Sequence, residues 1–258
     1  MHTINFLWDS VPCTVLEIGQ ENHLEVCGFP PPGLERNSIH IWSARYEDLE
    51  RHFRILPDRI SREEQETAST FRTTADAKKY IIRWGTARTI LAHYTCHTPE
   101  MLSFSTGKNG KPELGADNAS SEISFNLSHT SERILIGVTK KRQIGVDIVS
   151  IDPSYQFQDT AEYLMTPAEK VFLERIEPAQ RYQVFFRIWA AKEAIIKATG
   201  GTLSLMGTTD LSEIIEDVLY SPDYSMYCLD TQPPFFLWQF MDGSGHLGAI
   251  AVDAGRVL

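Results

Sequence analysis

Apolar positions recur along this chain in two rhythms. Ile39–Ala44 (IHIWSA) alternates apolar with small or polar residues, the period of an opening strand. Before it, Phe29–Gly33 (FPPPG) reads as a turn or stiff connector that sets apart an N-terminal extension, residues 1–36. Ser61 and Glu64 have capping-box spacing for a helix that begins near Arg62. From Thr74 to Tyr94, Ala77, Ile81, Trp84, Ala87 or Arg88, and Leu91 fall at helical intervals, and Lys78, Lys79, Arg83 and Arg88 ride on the same segment. A turn-rich stretch around Gly107–Pro112 follows. Three β-like runs come next, Ile123–Leu127, Ile134–Thr139 and Ile144–Val149. The polar Ser128–Glu132 separates the first two, and the basic Lys140–Arg142 precedes the third. Thr166 and Glu169 repeat the capping-box spacing and predict a helix to Ile176, then a second helix runs from Pro178 to Thr199. The tail carries β-like segments at Met226–Leu229, Phe235–Phe240 and Leu247–Val252. Strands and helices occur in both halves, which predicts an α+β fold built as a pair of related units.

The segment Phe185–Gly201 (FFRIWAAKEAIIKATGG) is the most informative. Ten of the fourteen residues Phe185–Ala198 are apolar, and Gly200–Gly201 supplies a stop signal. A helix apolar around most of its girth is normally buried, so its charged groups must be paired or bound to a ligand. Trp189, Glu193 and Lys197 fall at i, i+4 and i+8 and share one stripe. One reading is a weak Glu–Lys surface pair. The other is a carboxylate and an ammonium aimed into a cleft where an anion and a cation sit together.

Composition narrows the field. The 258 residues suffice for one large domain or two smaller ones, with 42% hydrophobic and 22% charged residues, both ordinary globular values. A net charge of −10 argues against a general nucleic-acid or membrane-surface binder and leaves room only for a local basic pocket. Cys13, Cys27, Cys96 and Cys228 are scattered without CxxC spacing and fit neither a zinc site nor a disulfide framework. No signal-peptide pattern opens the chain and no apolar run reaches the ~18 residues of a membrane span, so the expected location is the cytoplasm.

Four further constellations bear on chemistry. Asp147, inside the Val/Ile-rich IGVDIV run, is out of place in a central strand unless something uses it, and carboxylate oxygens suit Mg²⁺. It also reads as a strand-end cap. Asn126, Ser128 and His129 in FNLSHT lie where a strand gives way to a turn, offering hydrogen bonds to phosphate or sugar, or simply a satisfied turn. The adjacent Ser-His pair is no nucleophile–base couple, because neighbours in a strand point oppositely. Gly107–Pro112 (GKNGKP) brings Lys108 and Lys111 beside glycines without P-loop spacing. Lys78–Lys79 alone reads as a solvated helix face.

Taken in the order basic helix, GKP, FNxSH, GVDI, WxxKEAxxK, the set resembles the 4′-phosphopantetheinyl transferases of the large, two-half type, over Ile39 to Leu205. The resemblance implies two pseudo-symmetric halves, residues 37–142 and 143–258. Each would be a small, mostly antiparallel sheet packed on helices, with the active site between them. It implies transfer of the phosphopantetheine arm of coenzyme A to a serine of an apo acyl or peptidyl carrier protein, Mg²⁺-dependent with Mn²⁺ as a substitute, releasing 3′,5′-ADP. Asp147 and Glu193 would hold the metal. Lys197 would bind diphosphate oxygen, and Lys192, the motif lysine, would add to the phosphate site. His129 and Lys79 would bind the 3′-phosphate, and Lys111 and Ser128 the nucleotide or phosphates. Glu193 is the candidate base for the carrier serine, and base and metal ligand are not separable by reading residues. A monomer is implied, with neither nucleic acid nor membrane as partner.

Two departures stand out. Many large relatives read Asp-x-Glu where this chain has Asp147-Ile148-Val149, as in the GxDIV of small holo-acyl-carrier-protein synthases. The basic pair often found before the second helix falls on Glu64 and Thr67, leaving Arg62, Arg72 or Lys78 to supply charge. Both features keep open a non-catalytic coenzyme A- or carrier-binding protein that retains the fold. A metal-dependent phosphodiesterase would need more carboxylates or histidines around the ion.

Overall fold

In the computed structural model the described residues are 3–8, 11–18, 33–34, 38–95, 97–118, 122–212, 214, 224–229 and 234–254. Most of the expected connector, residues 29–32, and the cysteines at 27 and 96 lie outside them. The chain divides into two compact units: Met1–Thr106, Pro112–Leu127 and Ser131–Lys141 in the first, and Gly107–Lys111, Ser128–Thr130 and Arg142–Leu258 in the second.

The first unit contains β1 (Thr3–Trp8), β2 (Val11–Ile18), β3 (Ile39–Arg45), α1 (Tyr46–Glu50), α2 (Arg62–Ser69), α3 (Thr74–Thr95), β4 (Phe104–Thr106), β5 (Pro112–Leu114), β6 (Ile123–His129, its last two residues grouping with the second unit) and β7 (Arg133–Lys140). The main sheet runs β1-β2-β3-β7-β6, with β4 and β5 as a separate antiparallel pair. The Thr3–Trp8 and Val11–Ile18 segments, within the stretch read from sequence as an extension, pair with each other, and β2 lies parallel to β3. Of the helical stripe read from the sequence, Ala87 and Leu91 enter a core with Leu49, Leu56, Ile134, Ile136 and Val138, Ile81 packs against it, and Ile82 and Ile90 of α3 join it. Ser61 caps α2 as its spacing predicts: its hydroxyl accepts from Glu64 N while the Glu64 carboxylate accepts from Ser61 N. That same Glu64 oxygen takes Arg88 Nε at 2.7 Å, and Arg88 Nη1 donates to the carbonyls of Pro99 and Leu102. Glu64 is thereby committed to holding α2 against α3.

The second unit contains β8 (Ile144–Ser150), α4 (Gln158–Leu164), α5 (Pro167–Arg175), α6 (Arg181–Thr199), β9 (Tyr224–Leu229), β10 (Phe235–Met241) and β11 (His246–Asp253). Its sheet runs β8-β11-β10-β9, antiparallel throughout. The helix predicted from Pro178 to Thr199 is α6, its first three positions forming a 3-10 turn, and it packs on β8, β10 and β11. It is buried around most of its girth, as its composition requires. Gly200 ends it in the left-handed conformation at φ 60°, where glycine carries no Cβ penalty. Phe185, Ile188, Ala191, Ala194 and Ala198 share a core with Leu237, Leu247, Ala249 and Ala251. Among the described residues no helix is long and apolar enough to cross a membrane.

Candidate active site

Small residues bring helix and strand together. On the face of β8 that carries Gly145 and Asp147, the opposite positions on β11 are Ala251 and Ala249. A Cβ on Gly145 would sit 1.9 Å from Ala194 O and 2.3 Å from Ala198 N, so α6 rests on the bare strand backbone there. The strand's period of two then aims Asp147 at the helix stripe that bears Glu193 and Lys197.

Four side chains meet at this point. Lys197 Nζ donates to Asp147 Oδ1 at 2.5 Å and to Ser128 Oγ at 3.1 Å. Ser128 Oγ in turn donates to Asp147 Oδ1 at 2.9 Å and accepts from Ile148 N. Glu193 Oε2 lies 3.9 Å from the same Nζ. Both carboxylates therefore reach one cation position, the one the ammonium fills. Asp147 is only 5% exposed, and its Oδ2 is a buried acceptor with no hydrogen-bond partner among the described residues. Burial raises the Glu193 pKa above the ordinary carboxylate value. Lys197 opposes that rise, and the Asp147 charge adds to it. A buried and a half-buried carboxylate share one ammonium, so the cluster is short of positive charge.

That shortage is the test of whether a divalent ion fits, and it does. The donors are hard carboxylate oxygens, one of them vacant, which is what Mg²⁺ takes while keeping several waters. Among the described residues no group of three His, Cys, Asp or Glu side chains could hold a metal, so Asp147 and Glu193 make a two-carboxylate set. Val149, where a third carboxylate would stand, is partly buried against the core.

The remaining expected residues fall elsewhere. Lys111 Nζ donates to the carbonyls of Ile144 and Ala198 at 3.0 and 3.3 Å and to Gln143 Oε1, and Asn109 donates to Gly200 O at 2.6 Å. GKNGK thus supplies donors to the carbonyl end of α6, where a cation also suits the helix dipole. His129 is exposed next to Ser128, with Nδ1 3.3 Å from Thr130 O. Lys79 belongs to the first unit, donates to Ser131 O and lies 5.6 Å over the Tyr46 ring. Lys192 is not brought to the cluster. It points away from β8 and is 1% exposed, with its ammonium on Glu169 Oε2, Met206 O and Leu164 O. Sequence reading missed Gly145 and Asn109. A glycine inside a strand signals close backbone approach, and Asn109, at φ 55°, stands before glycine in a turn.

Comparison with known proteins identifies the family. Residues 143–250 match the 4′-phosphopantetheinyl transferase superfamily, and residues 41–140 match the family described as 4′-phosphopantetheinyl transferase, N-terminal. The chain is 30% identical over 224 residues to the 4′-phosphopantetheinyl transferase HetI of Nostoc sp., covering 86% of this chain and 91% of that protein. It is 32% identical over 146 residues to the 4′-phosphopantetheinyl transferase of Bacillus subtilis, 57% of this chain and 62% of the relative. With AcpT of Escherichia coli it shares 31% identity over 120 residues, 46% of this chain and 58% of the relative. The chain belongs to the 4′-phosphopantetheinyl transferase superfamily and is an enzyme of that class.

Proposed function

We propose that the enzyme moves the 4′-phosphopantetheine arm of coenzyme A onto a serine hydroxyl of an apo acyl or peptidyl carrier protein and releases 3′,5′-ADP with Mg²⁺ bound. The observation that carries the reading is the buried, unpartnered Asp147 Oδ2, with Lys197 reaching both Asp147 and Glu193, in a chain of this family. A bond forms between the carrier serine oxygen and the phosphorus that bears pantetheine. The bond from that phosphorus to the bridging oxygen breaks, and its electron pair leaves with 3′,5′-ADP. Such a step needs positioning and neutralisation more than covalent participation by the protein.

Asp147 and Glu193 would hold the ion, which when bound would supply Lewis-acid neutralisation of the diphosphate. Lys197 would turn its ammonium to diphosphate oxygen and offset the charge that grows on the leaving group. Ser128 stays on Asp147 and fixes its rotamer. Glu193 takes the proton of the carrier serine, a poor nucleophile until it is deprotonated. His129, exposed beside Ser128, binds the 3′-phosphate, and Lys111, with three acceptors of its own, holds the end of α6. Lys192 has no ammonium proton left for a phosphate, since three acceptors use all three.

Val149 favours a second reading, a coenzyme A-binding protein that retains the fold without turnover. Incubation of the purified chain with coenzyme A, Mg²⁺ and several apo carriers separates the two by intact mass of the carrier. A mass gain of one phosphopantetheine arm supports transfer. Tight coenzyme A binding with no metal dependence and no modified carrier selects the second reading.

A further inference from the structure

The sequence motif KEA sets two charged residues side by side, and α6 sends them to different places. Glu193 turns toward β8, whereas Lys192, one residue earlier and ~100° around the helix, turns into the α4–α5 side. There Lys192 meets Glu169, which is 0% exposed. The acceptors lie at 2.5 Å (Glu169 Oε2), 2.7 Å (Met206 O) and 2.8 Å (Leu164 O). Glu169 is itself fully engaged: Oε2 accepts from Thr166 N at 2.8 Å and Oε1 from Leu211 N at 2.9 Å. Thr166 completes the capping box of α5 and donates through Oγ1 to Asp210. Burial lowers the Lys192 pKa while the hydrogen bond and charge of Glu169 oppose the shift, as expected of a charge held by its partner.

We infer that Lys192 is a positioning residue: through Glu169 it locks the roll of α6, and so sets where Glu193 and Lys197 stand relative to Asp147. The hub ties α6 to the end of α4, the start of α5 and the 206–211 segment in one fully satisfied network. Gly145 holds the other side of the helix. Between these two contacts α6 has no free rotation. The requirement is strict, because a roll of about 10° swings a side-chain tip at the helix's ~5–6 Å outer radius by about 1 Å. Misplacement of that size costs about 10²-fold in a positioned reaction. This inference rests on the metal and phosphate reading of Asp147, Glu193 and Lys197.

The test uses Lys192→Met, and Lys192→Met with Glu169→Gln. The single variant strands a buried carboxylate and is expected to melt early. The double variant removes both charges: the amide of Glu169→Gln keeps its oxygen on one of the Thr166 and Leu211 N–H groups and donates to one of the freed carbonyls, at the cost of the other N–H, and circular dichroism verifies that it folds. Mn²⁺ binding by calorimetry in the presence of coenzyme A, and transfer kinetics, are then measured on the folded double variant. Expected are Mn²⁺ affinity and kcat both reduced about 10-fold or more, with KM for coenzyme A within about twofold of wild type. Wild-type Mn²⁺ affinity and kcat in the double variant would overturn the inference by leaving the hub a purely stabilising role. A large rise in KM for coenzyme A with unchanged Mn²⁺ affinity would also overturn it, and return Lys192 to direct phosphate binding. A wild-type protein that transfers nothing refutes the proposed activity alone, because the Mn²⁺ titration still reads the positioning.

Discussion

Gly145→Ala is the sharpest probe of how the site is built. The added methyl would meet Ala194 O at 1.9 Å, Ala198 N at 2.3 Å and the Lys197 carbonyl carbon at 2.9 Å. All three are backbone atoms of α6, so no side-chain rotation relieves them. Restoring ordinary contact requires α6 to retreat from β8 by about 1.5 Å. That retreat carries Lys197 Nζ from 2.5 Å off Asp147 Oδ1 to a separation beyond hydrogen bonding. Overpacking costs about 1–3 kcal/mol, and the loosened Asp147 adds to it. For a chain of this size the overpacking alone lowers Tm by about 2–12 °C. The larger effect is on function, because a shift of an ångström or more at the cluster costs about 10²-fold in kcat/KM. The assays are thermal unfolding, Mn²⁺ titration and carrier modification followed by intact mass. Ile148→Val is the control: same strand, opposite face, a stability cost of about 0.5–1.5 kcal/mol and unchanged Mn²⁺ affinity. Gly145→Ala with wild-type metal affinity and turnover would refute the claim that the helix–strand approach sets the site.

Other expectations follow from the same contacts. Asp147→Asn and Glu193→Gln should each lower transfer about 10²-fold or more with the fold retained by circular dichroism, and full activity in either removes that residue from the site. Arg88→Met strands the partly buried Glu64 carboxylate and the carbonyls of Pro99 and Leu102, and should cost about 3 kcal/mol in urea unfolding; a loss within error would mean water replaces the guanidinium. Burial lowers the His40 pKa to about 4, so the fold favours its neutral ring. Between pH 6.5 and 4 the unfolded chain binds the extra proton. This contribution is therefore complete above the unfolded pKa and is lost as pH falls, by about 3 kcal/mol in all. Urea midpoints at about pH 7.5, 6 and 5 bracket the unfolded-state titration and measure it, and a His40→Asn variant with an identical slope would assign the acid sensitivity elsewhere.

Local physics explains which parts of this architecture were legible. Both capping boxes, Ser61 with Glu64 and Thr166 with Glu169, announced helix starts because cap and partner are three residues apart. Gly200 announced the end of α6 for an equally local reason. The Trp189–Glu193–Lys197 stripe was readable because helical geometry alone aligns those positions. What the stripe faces was not, since Asp147 lies fifty residues from Lys197 along the chain. The same limit separates the two lysines of α6. Lys192 and Lys197 belong to one motif and stand ~140° apart around the axis, a fact that follows from spacing. Which of them faces acceptors within the fold depends on Glu169 and the Leu164 and Met206 carbonyls, none of which the motif contains. GKNGKP poses the same ambiguity in a loop: glycines and lysines suit an anion, and equally the carbonyl end of a helix. A lysine with three acceptors already in hand is held by the fold, whereas one bridging two carboxylates, one of them carrying a vacant oxygen, can be displaced by a better cation. That difference in satisfied donors and unpartnered acceptors, more than the motif itself, separates the lysine that holds α6 from the lysine proposed to meet substrate.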